Sequence, residues 1–313
     1  MTADLGAVRM TLNDAHCHFF SPAFFGVLAS QRGRGEGGAD LCREIGWEAP
    51  ETPEALAARW VRELDNHGVS RAVLIASVPG DEASVAAAVA HAPERVIGYF
   101  MVDPSAPDAA VRVQRALGEQ RLRGVCLFPA MSRVPLDDPR TEAVIAAAAA
   151  VPGTVVFVHC GVLSVGVRGR LGLPSPFDQR LGDPLAVARL ASRFGSVPFV
   201  IPHLGAGFFR ETLMALDVAA NVHVDTSSTN RWIRYTPGLS LEDAFRAAFE
   251  VAGPSRVLFG TDSSFFPRGW HRAVFDAQLA VLERIGVGAA DRALVLGGNL
   301  DRLFPLPPRV MPA

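Results

Sequence analysis

The chain has 313 residues, of which 49% are hydrophobic and 20% are charged, so it is long enough to bury an extensive apolar core. This balance excludes an intrinsically disordered chain and a small disulfide-stapled scaffold. With 30 basic and 32 acidic residues the net charge is -2, which provides no basic surface for nucleic acid or for an anionic membrane.

All 30 basic residues are arginine, because the sequence contains no lysine. Three kinds of site are thereby excluded: a Schiff-base lysine, the lysine of a phosphate-binding loop, and a carbamylated lysine that bridges two metal ions. The four cysteines are too few and too scattered for a disulfide framework and fit a reducing compartment. We find no secretory signal and no apolar run that would span a bilayer, and we expect a soluble cytoplasmic protein.

Short β-branched runs alternate with longer helical patterns along nearly the whole chain. The predicted strands are residues 12–18, 70–76, 96–102, 124–128, 154–160, 198–203, 222–226 and 257–261. The predicted helices are residues 53–67, 82–91, 108–119, 140–150, 184–194, 208–219, 241–251 and 270–285, with a short terminal helix at 291–297. Eight strand-then-helix units predict a single α/β domain over residues 1–313, a (β/α)₈ TIM barrel.

Two connections are longer than a barrel needs, residues 19–52 after the first strand and residues 161–183 after the fifth. Both leave the carboxyl ends of strands, which is the face where barrel enzymes build their sites, so we predict that they form pocket walls or lids. The first connection contains closely spaced glycines, and a flexible insertion is the alternative interpretation.

The first predicted strand ends in His16-Cys17-His18, and strand alternation points the two imidazoles to one side and Cys17 to the other. Such a pair is by itself compatible with histidines that are merely hydrogen-bonded inside a barrel. Three other predicted strand ends carry His159, His203 and Asp262. Since these ends meet at one rim, the nitrogen and carboxylate groups indicate a site for a divalent, zinc-like ion.

The chain resembles the amidohydrolase superfamily, and within it the branch of aminocarboxymuconate semialdehyde decarboxylase and related lactonases and hydrolases. The resemblance extends over nearly the whole chain. The motifs that carry it are Asp14-Ala15-His16-Cys17-His18, Val158-His159-Cys160-Gly161, Pro202-His203-Leu204-Gly205-Ala206-Gly207, Leu258-Phe259-Gly260-Thr261-Asp262 and Gly297-Gly298-Asn299-Leu300-Asp301-Arg302-Leu303-Phe304.

The resemblance implies one divalent metal ion held by His16, His18, His159 and Asp262, with an open position for water or a substrate oxygen. It implies that Asp262 and His203 are the catalytic residues, with His203 acting as an acid or base beside the metal. A site in which His203 also ligates, with five ligands or two metals, is the alternative. Zinc suits these ligands best, and manganese, iron or nickel are the alternatives.

Two other groups of residues are predicted to be structural. Cys17 and Cys160 neighbour the presumed ligands but alternate away from them, so we expect inert core thiols. His223 lies near the amino end of the seventh strand, away from the rim where barrel enzymes carry out their chemistry, so we expect it to be a core residue.

Substrate contacts are expected from the connections at the same rim, where an arginine fork can hold a carboxylate. Aromatic residues crowd this rim and indicate an apolar or aromatic substrate body. The selected candidates are Arg43, Arg168, Arg231, Arg268, Phe20 and Trp232. Arg43 is included because residues 42–47 loosely resemble the arginine-bearing loop of the decarboxylase.

The sequence thus predicts a metal-dependent hydrolase of a small carboxylated ester, lactone or amide. The alternative within the resemblance is a metal-dependent non-oxidative decarboxylase of an aromatic or muconate-type acid. A catalytically silent barrel that binds a small acid or stores metal is a third interpretation, and an open set of ligands at the strand ends argues against it. The expected partner is a small-molecule substrate, without nucleic acid or membrane, and apolar helix faces are compatible with a homodimer.

Overall fold

The computed structural model describes residues 11–306. Its strands are β1 Asn13–Phe19, β2 Arg71–Ala76, β3 Val96–Val102, β4 Gly124–Leu127, β5 Val155–Val158, β6 Phe199–Ile201, β7 Val222–Asp225, β8 Val257–Leu258 and β9 Ser263–Ser264. The first helices are α1 Pro22–Arg32, α2 Gly38–Glu44, α3 Pro53–His67, α4 Glu82–His91, α5 Ala109–Gly118, α6 Pro129–Ser132 and α7 Pro139–Ala149. The others are α8 Gly166–Arg170, α9 Pro184–Arg193, α10 Phe209–Val218, α11 Leu241–Ala252, α12 Phe265–Arg268, α13 Arg272–Arg284, α14 Ala289–Ala293 and α15 Asn299–Leu303.

The strands form one parallel sheet in the order β8-β7-β6-β5-β4-β3-β2-β1-β9. The sheet curls so that its two ends meet at β1. Cys17 pairs with Ser263 of β9, and the backbone N–H of Ala15 donates to the carbonyl of Phe259 just after β8 at 2.9 Å. This arrangement confirms the predicted (β/α)₈ TIM barrel, with β8 and β9 sharing the eighth strand position.

The eighth strand is the one that differs most from the prediction. The predicted continuous run at 257–261 contains ladder pairing only at Val257–Leu258, and a separate short strand follows at Ser263–Ser264. Between them Asp262 has a φ of 57°, a left-handed conformation that breaks the pleat. The carboxylate of Asp14 also accepts the backbone N–H of Thr261 at 3.1 Å, so this N–H bonds to a side chain and not to the backbone of a neighbouring strand.

Local signals explain why several helices match their predicted bounds. Helix α3 begins after Thr52, whose hydroxyl accepts the N–H of Ala55 at 3.1 Å, and proline fills its first position. It ends at Gly68, which has a φ of 67°. The last predicted helix is longer than expected, because α14 continues through a π-helical turn at Leu294–Gly298 into α15.

Apolar side chains fill both faces of the sheet, as expected for buried parallel strands. One cluster lies between the sheet and the outer helices and includes Trp60 and Phe245. A second cluster fills the barrel interior and includes Tyr99, Phe157 and Phe304. None of the helices between residues 11 and 306 combines the length and apolar character that a membrane crossing requires.

The two long connections fold against each other. The first contains α1 and α2, and the second contains α8. Together they build a third apolar cluster, which we call the wall cluster. Its buried members are Phe24, Phe25, Leu28, Ala29, Leu41, Cys42, Ile45, Val78, Val167, Leu171 and Leu173. Since Phe24 and Val167 also line the central cavity, both connections form its walls.

Candidate metal centre

Strand alternation at the end of β1 places neighbouring side chains on opposite sides of the strand. His16 and His18 both line the central cavity. Cys17 is fully buried in the cluster between sheet and helices, and Cys160 lies in the same cluster. Burial raises the pKa of both thiols, so they remain protonated and inert.

The ring of His16 is held on one side and unpartnered on the other. Its Nδ1 lies 3.0 Å from Oδ2 of Asp225, a fully buried carboxylate. Its Nε2 is also buried, has no hydrogen-bond partner among the described residues, and lies 3.6 Å from Oδ1 of Asp262. A buried, unpartnered ring nitrogen is unfavourable unless a ligand takes it.

The ring of His18 is arranged in the same way. The Ser77 hydroxyl donates to the Ile75 carbonyl at 2.9 Å, so its oxygen accepts the Nδ1–H of His18, also at 2.9 Å. The Nε2 of a neutral His18 therefore presents a lone pair to Oδ1 of Asp262, which lies 2.9 Å away. Two acceptors at this distance need a positive charge between them, which a proton on His18 or a metal cation supplies.

His16, His18 and Asp262 consequently fit a cation. Each offers a ligand atom, and these atoms lie within 4.8 Å of one another. A second group with the same spacing is His16, His203 and Asp225, but there Nδ1 of His16 already binds Asp225 and Nδ1 of His203 binds Ser227. The first group is therefore the better candidate for a metal site.

His159 lies in the wall of the same cavity, with its ring stacked on Phe128 at a centroid distance of 5.2 Å. Its buried Nδ1 has no hydrogen-bond partner within residues 11–306. In each of the two groups, at least one ligand atom lies more than 4.8 Å from the ring nitrogens of His159, so His159 belongs to neither group. Burial, with repulsion from His203 and His16, lowers its pKa well below the usual range, so the ring is neutral and can act as a ligand.

His203 faces the cavity from a strained turn after β6. The four residues of this turn, His203, Leu204, Gly205 and Ala206, all have positive φ. Only glycine adopts this conformation freely, so the other three residues are strained. The backbone N–H of His203 donates to Oδ1 of Asp225 at 3.0 Å, which fixes the turn. Burial lowers the pKa of the His203 ring, so it is neutral at physiological pH.

Asp225, the last residue of β7, and Ser227, just after it, connect His16 with His203. The Ser227 hydroxyl lies 2.9 Å from Nδ1 of His16 and 2.8 Å from Nδ1 of His203, and it donates to Asp225. Neither Asp225 nor Ser227 was predicted as a site residue. Their position at the end of the seventh predicted strand is the signal that could have identified them. His223, near the amino end of β7, lines neither of the two cavities described below and is half-buried.

Electrostatics keep Asp262 ionised. Burial alone would raise its pKa, but the hydrogen bond and attraction from His18, together with His203 and His16, hold it well below the usual range. The φ of 57° at Asp262 directs this carboxylate toward the two histidines of β1.

The cavity has two lobes that meet at the polar centre formed by His159, His203 and Asp262. The larger lobe, about 430 Å³, is mostly apolar. Its aromatic and methionine walls are Phe20, Phe24, Trp47, Met101, Phe128 and Met131. The smaller lobe, about 240 Å³, is more polar and is lined by Ser228, Thr229, Arg231, Trp232, Arg234 and Tyr235.

Four of the six predicted substrate contacts line these lobes: Phe20 and Arg268 in the apolar lobe, Arg231 and Trp232 in the polar lobe. Arg43 does not reach the cavity, because its side chain is 77% exposed and pairs with Asp40 on the surface of α2.

Arg168 does not line the cavity either. It donates to Gln31 at 2.6 Å and to the Pro174 carbonyl, and so joins the two long connections. The neighbouring Arg170 lines the apolar lobe, with its guanidinium 5.4 Å from the ring of Trp47.

Solved structures with the same fold include a probable hydrolase, a decarboxylase and an amidohydrolase. The chain is 16% identical to a probable 2-pyrone-4,6-dicarboxylic acid hydrolase from Acinetobacter baumannii, with 95% of this chain and 100% of that one covered and a TM-score of 0.61. It is 16% identical to a 5-carboxyvanillate decarboxylase from Novosphingobium aromaticivorans with bound manganese, with coverage of 97% and 99% and a TM-score of 0.64. It is 19% identical to a zinc-bound amidohydrolase from Burkholderia multivorans, with coverage of 95% and 100% and a TM-score of 0.59.

No curated protein matches the chain in sequence. Residues 14–306 match the sequence profile described as amidohydrolase, which spans the barrel from the first strand to the last helix. The chain belongs to the amidohydrolase family.

Proposed function

We propose that the protein is a metal-dependent hydrolase of a small carboxylated ester, lactone or amide. The observation that carries this proposal is the convergence of two imidazole Nε2 atoms, from His16 and His18, on Oδ1 of Asp262. The same atoms fit a divalent cation. Asp262 lies where the two lobes meet, and His16 and His18 line the apolar lobe beside it.

The proposed ligands are His16, His18 and Asp262, with His159 completing the set. Imidazoles with one carboxylate suit zinc, and zinc and manganese are the ions named for two structures of this fold. When bound, one such ion would lower the pKa of a water molecule and polarise a substrate carbonyl.

The side chains have separate tasks in this proposal. Asp262 is ionised because its pKa is held low, so its carboxylate can accept a hydrogen bond from a water molecule. It is also the proposed acceptor of that water's proton. His203 is a neutral imidazole beside it, so it can first take up a proton and then return that proton to the departing group. The proposed task of the aromatic residues that line the apolar lobe is to shield the reacting atoms from bulk water.

Substrate recognition is divided between the lobes. We propose that Phe20 and its neighbours bind an apolar or aromatic body. Arg231 in the polar lobe and Arg268 beside Asp262 are the proposed carboxylate contacts. Arg268 donates to the backbone carbonyl of Asp262 at 3.3 Å, and its guanidinium therefore lies close to the reacting centre.

A non-oxidative decarboxylase is the second candidate. It is favoured by the aromatic lining of the larger lobe, which suits a benzoate-like acid, and by the fold shared with the 5-carboxyvanillate decarboxylase. In that reaction His203 or Asp262 would protonate the carbon that loses carbon dioxide.

Product analysis separates the two candidates. The zinc-loaded protein would be assayed against carboxylated aromatic or muconate acids and against lactones or esters, with carbon dioxide and acid release recorded in parallel. Acid release that chelation abolishes supports the hydrolase. Carbon dioxide without acid release would replace it with the decarboxylase.

We propose one catalytic domain over the whole chain, acting in the cytoplasm on a small molecule. A homodimer remains a prediction, which light scattering of the purified protein tests.

A further inference from the structure

The Ser227 hydroxyl lies at the centre of a buried network in which every proton can be assigned. Its oxygen contacts three groups: Nδ1 of His16, Nδ1 of His203 and Oδ1 of Asp225. Ser227 and Asp225 are fully buried, so water does not compete for these bonds. A hydroxyl has one proton to donate and two lone pairs to accept with, and three partners use this capacity completely.

Asp225 determines where the protons lie. Its Oδ1 accepts the backbone N–H groups of His203 and Ser227, each at 3.0 Å, and these donors favour the ionised carboxylate. An ionised carboxylate only accepts hydrogen bonds. His16 must therefore donate its Nδ1–H toward Oδ2, and Ser227 must donate its hydroxyl proton to Oδ1.

With its one proton given to Asp225, Ser227 can only accept from His203. The Nδ1 of His203 must then carry a proton, since two acceptors 2.8 Å apart would repel each other. The opposite assignment, with Ser227 donating to His203, leaves two oxygens in short contact without a proton between them. The second ring nitrogen of His203, Nε2, has no hydrogen-bond partner among the described residues and is left for the cavity that this ring lines.

We propose that Ser227 and Asp225 are positioning residues that hold His203 as the Nδ1–H tautomer, with the Nε2 lone pair toward the substrate. His203 consequently enters the reaction as a proton acceptor and becomes a donor only after it has taken up a proton. This proposal rests on the proposed function in assuming that His203 faces the substrate. It deepens that function, because hydrolysis begins with a proton acceptor whereas decarboxylation needs a proton donor at the carbon.

The same carboxylate also fixes the position of the ring. Asp225 binds the backbone N–H of His203 inside the left-handed turn and, through Ser227, the side chain of the same residue. Ring and backbone are therefore oriented by one group, which also binds His16. A metal ligand and the proposed proton acceptor are thus linked through two shared side chains.

The test is a direct measurement of the imidazole tautomers. Nitrogen-15 labelled histidine and long-range proton–nitrogen spectra at mildly alkaline pH distinguish the two tautomers, and His203→Gln identifies the signal of His203. We expect the Nδ1–H tautomer at His203 in the metal-free and the zinc-loaded protein. An Nε2–H tautomer in the wild-type protein would overturn the proposal.

Two variants serve as matched controls for each other. Ser227→Ala should shift His203 toward the Nε2–H tautomer and leave His18 unchanged. Ser77→Ala should change His18, whose Nδ1 it holds, and leave His203 unchanged. An unchanged His203 signal in folded Ser227→Ala protein would contradict the assignment to Ser227.

Kinetics give a second readout. Ser227→Ala should lower kcat by about 10- to 100-fold with a nearly unchanged KM, and Ser227→Thr, which keeps the hydroxyl, should recover most of this loss. The tautomer spectra need neither substrate nor turnover. Absence of turnover in the wild-type protein would therefore count against the proposed function, while the spectra would still decide the role of Ser227.

Discussion

The indole N–H of Trp270 donates to Oδ2 of Asp14 at 2.8 Å and so joins the segment before α13 to the first strand. Asp14 is fully buried and also accepts the backbone N–H groups of His16 and Thr261. This one carboxylate therefore holds together the two strand ends that carry His16, His18 and Asp262.

Trp270→Phe should destabilise the protein by about 1–3 kcal/mol, because it leaves a buried carboxylate without one of its donors. Urea denaturation followed by circular dichroism measures the change. Trp60→Phe is the control, since Trp60 is equally buried but its indole N–H has no hydrogen-bond partner in the described part of the chain. Equal losses in both variants would show that the bond to Asp14 contributes nothing.

His18→Ala should reduce zinc affinity by at least about 100-fold, since loss of a ligand should exceed the 10- to 100-fold effect of losing a residue that supports one. Calorimetric titration of the metal-free protein measures the affinity and the number of ions bound. His91→Ala, at an exposed position on α4, should bind zinc like the wild type. Two bound ions per chain in the wild type would contradict the single site.

Asp262→Asn should lower kcat by about 10²- to 10⁴-fold, because the amide cannot accept a proton. Binding of a substrate analogue, measured by calorimetry, should persist in this variant. A barrel that only binds its ligand would show no catalytic difference between the two proteins. Retained turnover in Asp262→Asn would remove Asp262 from the catalytic assignment.

Arg231→Met should lower kcat/KM for a carboxylated substrate by about 10- to 100-fold, mainly through KM, because a charge-assisted hydrogen bond is lost. Arg43→Met is the control, since Arg43 lies on the surface and pairs with Asp40. Equal kinetics for the wild type and Arg231→Met would exclude Arg231 as a substrate contact. The assay also tests whether the polar lobe recognises the carboxylate.

Gly161→Ala should destabilise the protein by more than about 1 kcal/mol. Gly161 has a φ of 74°, and a Cβ at this position would lie 2.0 Å from the carbonyl oxygen of Gly205, in the turn that carries His203. Gly169→Ala is the control in the same connection, because a Cβ there meets nothing within 4 Å. Thermal unfolding of the two variants should therefore differ clearly.

The sequence allowed the barrel and the rim histidines to be predicted, because both depend on local periodicity. The bounds of α3 and α4 were predicted correctly, since caps and a terminal glycine mark α3 and a regular apolar spacing marks α4. Helix α1 was missed, although Ser21 caps its start and Gly33 its end. Its buried residues, Phe24, Phe25, Leu28 and Ala29, recur at helical spacing, but they pack in the wall cluster with residues of α8, which lies far along the chain.

The finer features of the site depend on contacts between distant segments. The link from Ser227 to His16 spans 211 positions in the sequence, and no local pattern reports it. The exposure of Arg43 could not be predicted from the sequence either, because it depends on how α2 packs against α1. The strand ends can be predicted from the sequence, and they show which residues lie close together. The atom that each ring presents to the cavity depends on its hydrogen-bond partners, which come from distant segments.

The wall cluster divides the molecule into parts that can change independently. The cavity walls pack on their own small core, whereas the strand ends with His16, His18 and Asp262 are supported by the barrel interior and by Asp14. Substitutions in the wall cluster should therefore reshape the cavity while leaving His16, His18 and Asp262 in place. Such a division allows a lineage to change what it recognises while inheriting its chemistry intact.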